Sequence, residues 1–305
     1  MRSKRLLIGF LLLLCATPAV RAADDLNDIV ASAVKQAQSK FPDEKLKDED
    51  VAVTLIDLRE PAKPRSGSFR GGEPIYPASV VKLFYLAATH RWLEDGKLKD
   101  SDELRQTLRD MIVDSSNDAS GAIVDTLSGV GNGAPLPDDE MKVWVEKRQA
   151  VNRYYASMGY TGINVCQKAY AEGAYVRERV FLGPKFENRN KLTTDATARL
   201  LCEIVTGKAV TPERSRQMMD LLKRDPTAKP DGNDDQNTGF TAKALPMGSK
   251  LWSKGGWTST ARHDAAYVET QDGLKFVLVI FTTGHARNRE LLPAIARSVM
   301  QGMGK

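Results

Sequence analysis

Cysteine and histidine are both scarce, at three residues each in a chain of 305. His90, His263 and His285 form no His-Glu-x-x-His pattern, and nothing around the cysteines has metal-ligand spacing, so neither a metal centre nor another cofactor is expected. No Gly-x-Ser-x-Gly elbow is present, which disfavours a Ser-His-Asp hydrolase. The glycine-bearing run "SGVGNGAPLP" (Ser128 to Pro137) does not follow a strand and open a helix, so it is not read as a phosphate loop. Beyond residue 22 no long apolar stretch exists, so the mature chain should carry no stable membrane span.

The apolar run that does exist lies at the N-terminus, in "MRSKRLLIGFLLLLCATPAVRA". A basic start, an apolar core from Leu6 to Leu14 and small residues at Val20 and Ala22 read as a secretory signal peptide, residues 1–22, cleaved after Ala22. Its core is shorter than the roughly 20 residues a membrane span needs. Cys15 follows Leu14, where a lipidation site would carry a small residue. Secretion or a periplasmic location is therefore expected. Arg2, Lys4, Arg5 and Arg21 are unopposed by any acidic residue in this segment, so its removal takes the net charge from +5 to about +1. The basic balance belongs to the export signal and argues for no nucleic-acid partner. Cys166 and Cys202 remain, either as a pair, which an exporting compartment permits, or as two buried thiols.

What is left suffices for one large domain or two lobes sharing a core. A helical lead-in covers Asn27 to Ser39. "VAVTLIDL" (Val51 to Leu58) alternates and is rich in β-branched residues, as strands are. Pro61 to Gly72 reads as a turn or loop. Helical periodicity covers Ser79 to Trp92, Asp102 to Val113, Asp118 to Leu127, and one long stretch from Asp138 to Met158. Residues 159–193 read as a mostly irregular connection, a length that is usually functional. Helices follow at Thr194 to Val205 and Pro212 to Leu222, then a polar loop from Asp225 to Gly239. Ala265 to Glu269 and Leu274 to Thr282, joined by "TQDG", read as a hairpin, and a helix closes the chain from Asn288 to Met303. Strands near both ends must bury their faces together, so the expectation is an α/β fold with an antiparallel sheet from both chain ends and an inserted all-helical lobe. The lobes would be 23–76 with 206–305, and 77–205. Ser79 would lie at their junction, where sites tend to form.

"YPASVVKLF" (76–84) places Lys82 three residues after Ser79. One reading is an ordinary helix capped by serine. Ser32-Ala33-Val34-Lys35 shows how readily the spacing arises by chance. The other reading is a nucleophile beside its base: positions i and i+3 share a helix face, and a serine hydroxyl needs a neighbouring base at neutral pH. Burial and a second cation, Lys254, would let Lys82 lose its proton. Two further motifs follow in order, Ser115-Ser116-Asn117 between two helices and Lys254-Gly255-Gly256 ahead of the terminal hairpin.

These three motifs in this order, with "MIVDSSNDAS" and "KGG…ARHDAAYVE…LKFVLVIFTTG" around them, resemble the serine β-lactamase and penicillin-binding protein superfamily, class A β-lactamases in particular. The resemblance spans most of the mature chain and is weakest over 128–192. It implies a two-lobe fold with Ser79 as nucleophile and Lys82 as base. Ser115 would relay a proton to a leaving nitrogen, and Asn117 would hold a substrate amide. Gly255 and Gly256 would let substrate lie against the strand edge, and the amides of Ser79 and Trp257 would form the oxyanion hole. Arg262 would grip a substrate carboxylate, or else is a solvated surface arginine, as Lys254 is in its plainer reading a strand-edge lysine.

The chain departs from that pattern in three places. Ser116 stands where aspartate is usual, and Gly255 where a hydroxyl residue is usual. No Glu-x-x-Leu-Asn supplies the deacylating glutamate, so Glu172 and Glu178 stand as equal candidates, with Glu187 a third. The leading expectation is a serine hydrolase turning over a β-lactam or related carbonyl. The alternatives are a D,D-peptidase-like enzyme acting on acyl-D-Ala-type peptides or an esterase, both slow to release β-lactams, and a binding module without turnover.

Overall fold

The computed structural model describes residues 25–169, 173–228 and 236–304; residues 1–22, expected as a signal peptide, and Glu172 lie outside the described residues. The first element, α1 (Leu26–Lys40), starts at Asp25, whose carboxylate accepts the Asn27 N–H, satisfying one of the free donors at a helix start. Leu26, Ile29, Val30, Ala33, Val34 and Ala37 form its buried stripe, each large side chain worth about 1.5–3 kcal/mol when fully buried. Next comes β1 (Val51–Asp57), buried throughout.

The segment read as a loop, Pro61 to Gly72, contains a strand instead, β2 (Arg65–Phe69). Its polar, half-exposed residues suit a sheet edge, which charged side chains protect from further pairing; its composition therefore resembles a turn. Gly67 is required there, since a Cβ would fall 2.3 Å from the Leu26 backbone.

A 3-10 turn, Ala78–Val81, leads into α2 (Lys82–Glu94). Ser79 thus sits inside the turn and makes no capping bond, contrary to the capped-helix expectation. Then follow α3 (Asp102–Ile112) and α4 (Asn117–Ser128). The single helix expected over 138–158 is two, α5 (Asp138–Arg148) and α6 (Ala150–Ser157), broken at Gln149 with φ −79° and ψ 6°. The connection 159–193 holds α7 (Val176–Leu182). Its period was obscured because a glutamate, Glu178, is buried while Val176 and Val180 are exposed. The chain continues through α8 (Thr194–Val205), α9 (Pro212–Leu222), the two-residue β3 (Lys223–Arg224), β4 (Lys250–Trp257), β5 (Ala261–Glu269), β6 (Lys275–Thr283) and α10 (Leu291–Met303).

All pairings are antiparallel, in the order β2-β1-β6-β5-β4-β3, so strands from both ends of the chain do build one sheet. Period-2 alternation divides the core. Phe276, Leu278 and Ile280 of β6 join the cluster under α1 and α10, while Val277, Val279 and Phe281 face α2 and α8. Cys166 and Cys202 are free, and burial pushes the Cys166 thiol up to about 12. No helix among the described residues is long and apolar enough to cross a membrane.

Candidate active site

Ser79 is half-buried in its 3-10 turn, and Ala78 before it has φ +47°, a left-handed conformation that costs a residue with a Cβ of order 1 kcal/mol or more. Directly above lies β4. A Cβ on Gly256 would stand 2.8 Å from Ser79 N and 2.9 Å from both Pro77 O and Val80 N, so only glycine lets the strand close on the Ser79 backbone. Gly255 has a different reason. Its Cβ would meet the Phe240 ring at 3.1 Å, so the ring crowds the position where the resemblance leads one to expect a hydroxyl residue.

Lys82 is wholly buried. Its Nζ donates to Ser115 O at 2.5 Å, Ser115 Oγ at 3.2 Å and Asn117 Oδ1 at 3.0 Å. Ser79 Oγ is not among these partners and makes no hydrogen bond within the described residues. Burial pulls the Lys82 pKa down to about 7. From the other side Lys254, also wholly buried, donates to the same Ser115 Oγ at 2.9 Å, and to Gln236 Oε1 and Gly255 O at 2.8 Å each. Burial, and then the charges of Lys82 and Arg224, hold Lys254 well below the ordinary lysine value, with Asp264 opposing. Burial is thus the leading cause at both lysines, and two amines flanking one hydroxyl also disfavour each other's charge. One hydroxyl between two amines can accept from one and donate to the other, so it can pass a proton between them.

Local sequence explains the turn that presents Ser115. Ser116 Oγ accepts the Ala119 N–H at 3.1 Å and caps α4, a task serine and aspartate share; the replacement at this position keeps the cap. Ser115 itself has φ +57°.

Arg262, opposite Trp257 in the β4–β5 ladder, is buried, so the solvated reading fails. Its guanidinium stacks 4.8 Å from the Phe240 ring and its Nε donates to Ala286 O. The Trp257 ring lies 5.7 Å from Phe240.

Glu178 lines a cleft with Asn117, Lys168 and Tyr175. It is buried, as is Arg148, which donates to it and to Asp125. Lys168 stands 3.9 Å from the same carboxylate. Glu187 is exposed and accepts the Lys185 N–H. Of the two described candidate bases, Glu178 and not Glu187 lines the cleft with Asn117, and it is already ion-paired.

Gln236, His263, Asp264 and Arg148 were missed. Gln236 Oε1 receives both Lys254 and the Gly255 N–H, while its amide holds Ile112 O and Val113 O. It comes from a polar loop with no periodicity to mark it. Asp264 is fully buried and accepts the Thr241 N–H; burial raises its pKa. Among the described residues no group of three or more metal-ligating side chains is assembled.

A family model described as the beta-lactamase enzyme family matches residues 99–303. Ser115, Asn117, Glu178, Lys254 and Arg262 fall inside that range, whereas Ser79 and Lys82 precede it and are joined to it by the contacts above. Among solved structures, a β-lactamase from Sphaerobacter thermophilus is similar at 20% identity and TM-score 0.65, covering 90% of this chain and 97% of the other. A β-lactamase from Chitinophaga pinensis follows at 17% identity and TM-score 0.65, with 90% and 98% covered. An acyl-enzyme complex of a PBP-A mutant with penicillin G matches at 17% identity and TM-score 0.63, with 90% and 97% covered. No curated protein matches the sequence.

Proposed function

The chain belongs to the beta-lactamase enzyme family, and from that premise we propose an exported serine hydrolase of the class A type, acylated at Ser79 by a β-lactam or a related carbonyl compound. The observation that carries this reading is the Lys82–Ser115–Lys254 chain beside a serine pinned under Gly256. Neutral Lys82 takes the Ser79 proton as Oγ attacks the carbonyl carbon. As the C–N bond breaks, Ser115 Oγ delivers a proton to the leaving nitrogen and is resupplied by the lysines. Water then cleaves the ester, with Glu178 or Glu172 as its base. Backbone amides of Ser79 and Trp257 would stabilise the oxyanion, an effect worth a few kcal/mol. The basic, apolar leader supports export.

A second reading, slow release of the acyl group as in a D,D-peptidase-like enzyme, has one observation in its favour. The Glu178 carboxylate is held by buried Arg148, so as a base it must first be freed from an ion pair. Hydrolysis of a chromogenic cephalosporin by the wild type and by Ser79→Ala separates the cases. The class A reading expects steady turnover that falls at least about 10³-fold in Ser79→Ala. A single slow burst favours the second reading, and undiminished turnover in Ser79→Ala rejects both.

A further inference from the structure

His263 has no place in the reaction scheme above, yet both of its ring nitrogens are committed. It lies on β5 opposite Gly256 of β4 and Phe281 of β6 and is wholly buried. Directly opposed residues of an antiparallel pair project to the same face, so its ring rises on the side where Gly256 meets the Pro77–Val80 backbone. Nδ1 accepts the Thr282 N–H at 3.1 Å. The proton must then sit on Nε2, which donates to the carbonyl oxygen of Tyr76 at 2.9 Å. The ring also packs on Phe281, centroids 4.7 Å apart.

Tyr76 stands three residues before Ser79, and the left-handed Ala78 lies between them. A strained residue persists only where its surroundings over-determine it. Upstream of the turn, Ile75 is bridged to Leu192 and the Arg189 guanidinium stacks on the Tyr76 ring; two further restraints come from the sheet. One is the close contact of Gly256, which stops the turn from approaching further. The other is the His263 bond, which stops it from lifting away. We propose that His263 is a positioning residue for the nucleophile: by bridging β6 and the Tyr76 carbonyl it holds the strained turn on the sheet, and so fixes Ser79 relative to Lys82 and β4. Burial lowers the His263 pKa to about 4, so the ring stays neutral and the bridge stays closed across the neutral range.

The inference rests on Ser79 being the nucleophile, and the test separates the two. In His263→Asn the side-chain oxygen replaces Nδ1 and keeps the Thr282 bond, while nothing reaches Tyr76. In His263→Gln the terminal amide occupies the Nε2 position and can still donate to Tyr76. Acylation rates would be measured by intact mass with a chromogenic cephalosporin and with p-nitrophenyl acetate, beside thermal melting of each variant. A misplacement on the scale of 1 Å costs a reaction about 10²-fold. The expected result is acylation slowed roughly 10- to 100-fold in His263→Asn at a KM within about threefold of wild type. His263→Gln should stay within a few-fold of wild type, and the two variants should melt at similar temperatures.

Wild-type acylation in His263→Asn overturns the tether, as does a loss in both variants that follows their melting temperatures. Labelling of the wild type by the ester alone overturns the β-lactam reading and leaves the tether readable. Labelling at Ser79 by neither reagent overturns the nucleophile and the tether together.

Discussion

Lys82 donates to three oxygens while burial holds its pKa near 7. A base acts only in its unprotonated form, so the acylation rate should climb as pH rises through about 7 and then level. Stopped-flow acylation between pH 5.5 and 9 reads this directly, and a rate flat across that range would refute Lys82 as the base. Arginine keeps the charge but does not give up its proton in this range. Lys82→Arg should therefore lose about 10²- to 10⁴-fold in acylation. Gly256 supplies a steric test at the same scale. In Gly256→Ala the new methyl must push the Ser79 and Val80 backbone out of contact, since both nitrogens lie under 3 Å from its position. A loss of about 1–3 kcal/mol in stability is expected for such overpacking, together with slower acylation. Urea denaturation and the mass assay would check the two parts.

At the scale of elements, α5 and α7 are joined by a buried ion pair. Arg148 and Glu178 both have 0% side-chain exposure, and Asp125 and Lys168 extend the network. Removing one member of such a pair strands the other's charge and costs about 3–5 kcal/mol. Arg148→Ala should therefore lower stability by that amount, whereas Val143→Ala, exposed on the same helix, should stay within about 0.5 kcal/mol. Equal losses in the two variants would mean that the pair contributes nothing specific. The same network explains why α7 was hard to read: an amphipathic pattern presumes that buried positions are apolar, and Glu178 violates it. β2 was hidden for the opposite reason, an edge strand made of residues that also make turns. Elements with apolar periodicity and a capping residue were legible. The helices expected at about Thr194 to Val205 and Pro212 to Leu222 are α8 and α9, and the structure adds Thr193 and Thr211 as their caps.

Across the whole molecule, the connection from β6 to α10 is fastened to the connection from α1 to β1 by His285, which bonds to Glu44 at 2.9 Å and Asp50 at 3.2 Å. Burial disfavours its charge, but the two carboxylates outweigh burial and raise its pKa. Its contribution to stability is thus fully present below the usual histidine value of about 6.5 and fades as pH rises through the higher folded value. His285→Ala should destabilise the protein more at pH 6 than at pH 9 in urea titrations; an equal penalty at both would contradict the bridge. Long-range assembly also sets what could be read of the site. Ser79, Lys82, Ser115, Asn117 and Lys254 stand in short motifs whose order is visible along the chain. Gln236, His263 and Arg148 acquire their roles only through contacts between distant segments, and no local spacing announces them.

Acylation at Ser79 is tested most directly by peptide mapping of the adduct trapped by acid quench within seconds of mixing the protein with a chromogenic cephalosporin. One acyl group is expected, on the peptide holding Ser79, in wild type and none in Ser79→Ala. An adduct on another residue, or turnover with no adduct on Ser79 at any quench time, would contradict it.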